Sequence, residues 1–284
     1  MRISDKTFFL LLMSVLILHG CGGELKIPQR VCEGKKNVAE SLYSLRLHRL
    51  LPFRANGQCH LQYDDAKGKT HNENFLVRIF ANPPAEIYLQ GDVAFDPKGI
   101  ILGSNEEEFW LAIRPKEIST YWWGRWAEQD GFNKLVISPK TLLEAFGVVE
   151  IADEENWSLA GEGIFDILTK RNKQGGVVKK IYVYSCDYRV RKIEYINAAG
   201  ENTVVTELGG YKEVGEGFVM PRVIKITTAG RDNKRNSVKI TLGSIKETEF
   251  IAEKQSLIFN RPEKVRGYKN LYRIIGDDLI QQQQ

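Results

Sequence analysis

Long apolar runs are scarce in this 284-residue chain. The stretch Phe8 to Leu18 gives eleven residues, interrupted only by Ser14, against about 20 for a helix that crosses a bilayer. Reactive side chains are few as well. Of the 4 histidines, only His48, His60 and His71 lie beyond the first twenty residues. GxSxG, HExxH, Walker and GxGxxG spacings are all missing, so serine hydrolases, zinc proteases, nucleotide hydrolases and dinucleotide enzymes lose their usual signatures. Gly161-Glu162-Gly163 and Gly215-Glu216-Gly217 are isolated GxG pieces and read as strand bends. His60, Asp64, Asp65 and His71 flank a predicted turn, where polar residues gather anyway. The acidic clusters Glu106–Glu108 and Asp153–Glu155 likewise read as solvated loops. The 4 cysteines offer no CxxC pair for zinc. Charge of one sign is also lacking. The net +4 becomes +3 once Arg2, Lys6 and Asp5 are set aside, too weak and too evenly spread for a nucleic-acid partner. The expectation is a protein that is not an enzyme and needs no metal or organic cofactor.

What is present begins at the amino terminus. Arg2 and Lys6 precede the short apolar run, which is the profile of a secretory leader. It ends in Leu18-His19-Gly20-Cys21, which resembles the lipobox of bacterial lipoproteins, although His19 departs from the small or polar residue usual there. The resemblance implies cleavage before Cys21, a diacylglycerol on its thiol and usually an acyl chain on the new amino terminus. Each buried methylene contributes about 0.8 kcal/mol, so two or three chains make a durable anchor. Gly22 follows where an inner-membrane retention signal would place aspartate, which favours the outer membrane. The expected boundaries are a leader over 1–20, a tether over 21–36, a folded domain over 37–252 and a partly disordered extension over 253–284. Cys32, Cys59 and Cys186 remain, and an oxidising compartment could pair any two of them.

In the segment from Asn37 to Pro52, Val38, Leu42 and Leu45 share one strip and Ala39, Tyr43, Leu47 and Leu50 the adjacent one. This predicts an amphipathic helix with Asn37 as its N-cap. From residue 57 short runs of Val, Ile, Tyr, Phe and Thr alternate with turn residues and predict strands that include one over 157–168 and one over 218–228, and Asp96-Pro97-Lys98-Gly99 reads as a hairpin turn. One short helix interrupts the series: Ser138 as N-cap, Pro139 in the first turn, Leu142, Leu143 and Phe146 on its apolar face and Gly147 as its stop. The expected fold is mainly β (α+β), an incomplete antiparallel β-barrel of about eleven or twelve strands with an N-terminal amphipathic helix and a short mid-chain lid helix.

Four of the 5 tryptophans, Trp110, Trp122, Trp123 and Trp126, fall in one aromatic stretch with Phe109 and Tyr121. Neighbours along a strand face opposite ways, so Trp122 and Trp123 cannot share a side. These rings are candidates either for an ordinary core or for the wall of an apolar ligand cavity. The order of elements, together with "GSNEEEFWLAIRP" and "SPKTLLEAFGV", resembles the LolA/LolB-like superfamily. That likeness implies a half-barrel whose hydrophobic cavity holds lipoprotein acyl chains beneath a helical lid, with the lipid-anchored receptor LolB the nearer analogue. It implies lid positions at Leu142, Leu143 and Phe146, and a membrane-delivery residue on a hairpin at Phe95. The partners it implies are the membrane, acyl chains and a periplasmic carrier protein. The alternative is an anchored envelope protein that uses the same half-barrel only as a docking surface.

Overall fold

A computed structural model describes residues 32–46, 51–64, 69–93, 96–115, 118–128, 138–147, 156–215, 217–229, 235–262, 265–276 and 278–283. Cys21 and Phe95 lie outside the described residues.

Helix α1 (Val38–Arg46) starts where the sequence places it. The Asn37 side chain accepts the Glu40 N–H at 2.8 Å, which satisfies one of the amides that a helix start leaves unpaired, and the Glu40 carboxylate reaches back to accept the Lys36 N–H at 3.0 Å. Leu42 and Leu45 are buried while Tyr43 is exposed, as amphipathic spacing requires.

A meander follows: β1 (Phe53–Asp64), β2 (Thr70–Asn82), β3 (Glu86–Val93), β4 (Asp96–Ser104), β5 (Glu108–Ile113) and β6 (Thr120–Arg125). After α2 (Pro139–Ala145) comes a second, made of β7 (Trp157–Glu162), β8 (Phe165–Arg171), β9 (Val177–Tyr184), β10 (Val190–Ile196), β11 (Asn202–Gly209), β14 (Val223–Ala229) and β15 (Arg235–Glu247). Between β11 and β14, β12 (Lys212–Gly215) and β13 (Phe218–Met220) form a separate small ribbon. The two meanders join where β1 pairs antiparallel with β15, and α3 (Ala252–Phe259) leads to β16 (Asn270–Ile275) and β17 (Asp278–Gln281). One sheet of fifteen strands results, β17 at one end and β7 at the other. It is curved and antiparallel except where β16 runs parallel to β6, and it does not close into a barrel.

The expected incomplete antiparallel barrel is therefore present, with more strands than the sequence suggests. The run read as one strand over 157–168 is two, because Gly163 takes φ +55 and turns the chain between β7 and β8. The run over 218–228 is broken into β13 and β14 on either side of Pro221. The segment expected to be a partly disordered extension instead supplies α3 and two strands of the main sheet. Hydrogen bonds to β6 recruit β16, and that pairing is invisible to local pattern.

One face of the sheet carries the main core. Phe53, Val77, Ile79, Ile87, Leu102, Phe109, Ile181, Ile193, Ile224 and Ile240 all turn inward there, with Leu42 of α1 packed on them. α2 touches both β4 and β11, so it crosses the inner face from one meander to the other. Its Phe146 ring meets Phe53 edge-on at 5.1 Å. On the far side of the helix the Glu144 carboxylate, 4% exposed, binds the Lys179 ammonium at 2.5 Å and accepts the Tyr195 hydroxyl.

The opposite face carries a second, smaller apolar cluster of Trp110, Ala112, Tyr121 and Tyr268, which the chain after α3 covers. The disulfide is Cys32–Cys186, which ties the segment before α1 to the β9–β10 turn and leaves Cys59 as a free, buried thiol. Nearby, the Lys35 N–H donates to the buried Asp166 carboxylate at 2.8 Å.

Candidate functional site

Period-two alternation brings Cys59, Leu61 and Tyr63 of β1 to the inner face, opposite Phe75 of β2 and Val238 and Ile240 of β15. The same alternation adds Leu89 of β3, Ile100 and Leu102 of β4, Leu111 and Ile113 of β5 and Trp122 of β6. Together with Ile118 and with Leu279 of β17, these side chains line a partly open cavity of about 300 Å³. Glycine makes part of this packing possible: a Cβ on Gly91 would lie 2.6 Å from the Phe75 ring, so only the bare backbone of β3 lets that ring lie flat along the wall.

Of the fourteen lining side chains, only Cys59, Tyr63 and Trp122 carry a polar atom. The cavity therefore suits an apolar ligand and offers almost nothing that would orient a polar one. Burial in this apolar setting pushes the Cys59 thiol up to about 12. The stabilisation tied to its neutral form is complete below the ordinary thiol value of about 8.5. It is lost as the pH climbs towards about 12. In a chain carrying Cys21→Ser, a thiol reagent at mildly alkaline pH should leave Cys59 unmodified until denaturant is added. Immediate stoichiometric labelling of the native protein would contradict the buried, protonated thiol.

The structure separates the four clustered tryptophans. Trp122 pairs with Leu111 and lines the cavity. Trp110 pairs with Trp123, one residue out of phase, so both face the other side of the sheet. Trp110 lies on Gly103, where a Cβ would come within 2.2 Å of the indole. The Trp123 ring sits between the guanidinium groups of Arg261 and Arg273, at 4.2 and 5.1 Å. Trp126 packs on Phe109 at 4.5 Å and donates its indole N–H to the Asn105 carbonyl at 2.9 Å.

Leu142, Leu143 and Phe146 are buried in the main core, and none of them lines the cavity. Of the fourteen wall residues only Trp122 was among the sequence candidates; the rest, Cys59, Ile118 and Leu279 included, were missed. The alternation that holds Cys59 in phase with Leu61 was the available signal for Cys59. Among the described residues no three His, Cys, Asp or Glu side chains converge where a metal could sit, and no helix is long and apolar enough to cross a membrane.

No protein-family model matches the sequence, and no curated protein does. Solved structures do match. A domain from Vibrio parahaemolyticus described as outer membrane lipoprotein-sorting is 10% identical, with a TM-score of 0.52, over 78% of this chain and 96% of that one. The half-barrel shares its fold with that domain. A LolA superfamily protein from Nitrosomonas europaea, 10% identical, aligns over 80% of this chain and 99% of its own at a TM-score of 0.49. A DUF1329 family protein from Desulfovibrio piger, also 10% identical, aligns over 76% and 93% at 0.47. In this fold the cavity occupies the inner face formed by β1–β6 and β15, with the edge strand β17 completing it.

Proposed function

We propose that this chain is a lipid-anchored protein of the bacterial envelope that shelters an acyl chain in the inner-face cavity. Its place would be the outer membrane facing the periplasm, and its role lipoprotein localisation. The observation that carries the reading is the cavity itself: about 300 Å³ walled almost wholly by hydrocarbon. Ligand sites run from roughly 300 to 1,000 Å³, so the space favours a single chain over several.

Transfer from a bilayer or from a periplasmic carrier into such a space exchanges one apolar setting for another. The free energy of a long chain therefore changes little, although in water each methylene costs about 0.8 kcal/mol. The protein's contribution is to exclude water along the route, and no bond need be broken. Cys21 supplies the anchor, and Gly22 beside it agrees with outer-membrane sorting.

Two measurements test the two halves of this reading. Labelled palmitate should enter the wild-type protein in growing cells and fail to enter Cys21→Ser. The soluble Cys21→Ser chain should bind a fluorescent fatty acid, and Ile113→Asp, on a half-buried part of the wall, should weaken that binding at least tenfold with the far-ultraviolet spectrum unchanged. A folded protein that binds no acyl probe would overturn the cavity reading and leave an anchored docking protein.

A further inference from the structure

The walls of the cavity are not equally firm. β1 to β6 and β15 each hydrogen-bond to a strand on both sides, whereas β17 is the outermost strand and pairs with β16 alone. That pairing covers four positions, from Tyr272 opposite Gln281 to Ile275 opposite Asp278. All four β17 residues are exposed. Leu279 is 46% exposed and yet lines the cavity, together with Val238 and Ile240 of β15. It thus touches solvent on one side and the ligand space on the other. Local opening is easiest where backbone hydrogen bonds are solvent-exposed and buried contacts are few. Among the lining strands those conditions meet at β17.

We propose that Leu279 is the specificity-determining wall of the cavity. On this view β17 is the side through which an acyl chain enters, and the Leu279 side chain limits the length of chain that fits. The proposal rests on the acyl-binding reading above. It also accounts for the C-terminal hairpin, because β16 docks on β6 and so holds β17 where its one inward leucine, Leu279, can complete the space.

The test uses the full chain carrying Cys21→Ser, which removes the covalent lipid and leaves every lining residue in place. Saturated fatty acids from caprylate to stearate are titrated against a bound fluorescent fatty acid, and the affinity is plotted against chain length. Because Leu279 is half-exposed on an edge strand, neither Leu279→Ala nor Leu279→Trp should disturb folding, and circular dichroism checks this. Leu279→Ala is expected to move the preferred length upwards by roughly three methylenes, the size of the group removed, with about fourfold in affinity per methylene accommodated. Leu279→Trp is expected to move it downwards and to slow association of the longest chains at least tenfold. If both folded variants keep the wild-type length profile and association rates, the assignment of Leu279 is overturned while acyl binding stands. If the unsubstituted chain binds no fatty acid of any length, the acyl-binding reading falls, and this proposal falls with it.

Discussion

Replacing Cys32 or Cys186 by serine, or reducing the bond between them, should lower the stability of the folded chain by about 5 kcal/mol. The linked residues are 154 positions apart, and the entropy withheld from the unfolded chain grows with the length of the loop a cross-link closes. For a domain of this size that corresponds to a fall in Tm of roughly 10 to 20 °C. Thermal unfolding followed by circular dichroism, with and without reductant, measures it. The serine variants should match the reduced wild type, and Cys59→Ser should not, because Cys59 stands apart from the bond. A shift within a couple of degrees would mean that the Lys35–Asp166 contact and the packing of α1 hold the amino-terminal segment without the cross-link.

The second large effect concerns the polar knot under α2. Glu144→Ala would leave the Lys179 ammonium, 9% exposed, without its carboxylate and would remove the acceptor of the Tyr195 hydroxyl. Stripping one partner from a buried ion pair costs about 3 to 5 kcal/mol, because the remaining charge stays out of water. The double variant Glu144→Ala with Lys179→Met carries no stranded charge and should recover most of that loss. Urea denaturation of the two single variants and the double variant gives the coupling as a double-mutant cycle. Additive effects across the cycle would show that the two groups act independently, against the 2.5 Å contact between them. The Tyr195 phenol belongs to the same knot. Burial first, and then the neighbouring Glu144 charge, raise its ionisation well above the ordinary tyrosine range, so it stays a neutral donor at any pH at which the fold survives.

How much of this was readable in advance depended on how local each feature is. Phe75, Val77 and Ile79 alternate with exposed neighbours and face the core as their spacing requires. The Asn37 cap and the α2 boundaries are likewise properties of a few consecutive residues, although the Ser138 hydroxyl makes no capping hydrogen bond. Trp122 and Trp123 could be assigned to opposite faces from sequence, but not which face holds which. Gly103 beneath Trp110 decides that, and it lies on another strand. The buried role of Glu144 had no local signal, because its partners Lys179 and Tyr195 lie 35 and 51 positions further on. Leu279 was hidden for the same reason, since its role depends on a parallel pairing between β6 and β16.

The seam between β1 and β15 sets an order of events for the newly made chain. Phe53 pairs with Glu247, so the two long strands at the middle of the sheet come from opposite ends of the folded region, and neither meander can be completed against the other until the late strand has emerged. Contacts so distant in sequence make folding slow. If the proposed leader directs export, that delay is useful: synthesis can run nearly to its end while the chain is still loose enough to be threaded through a translocation channel.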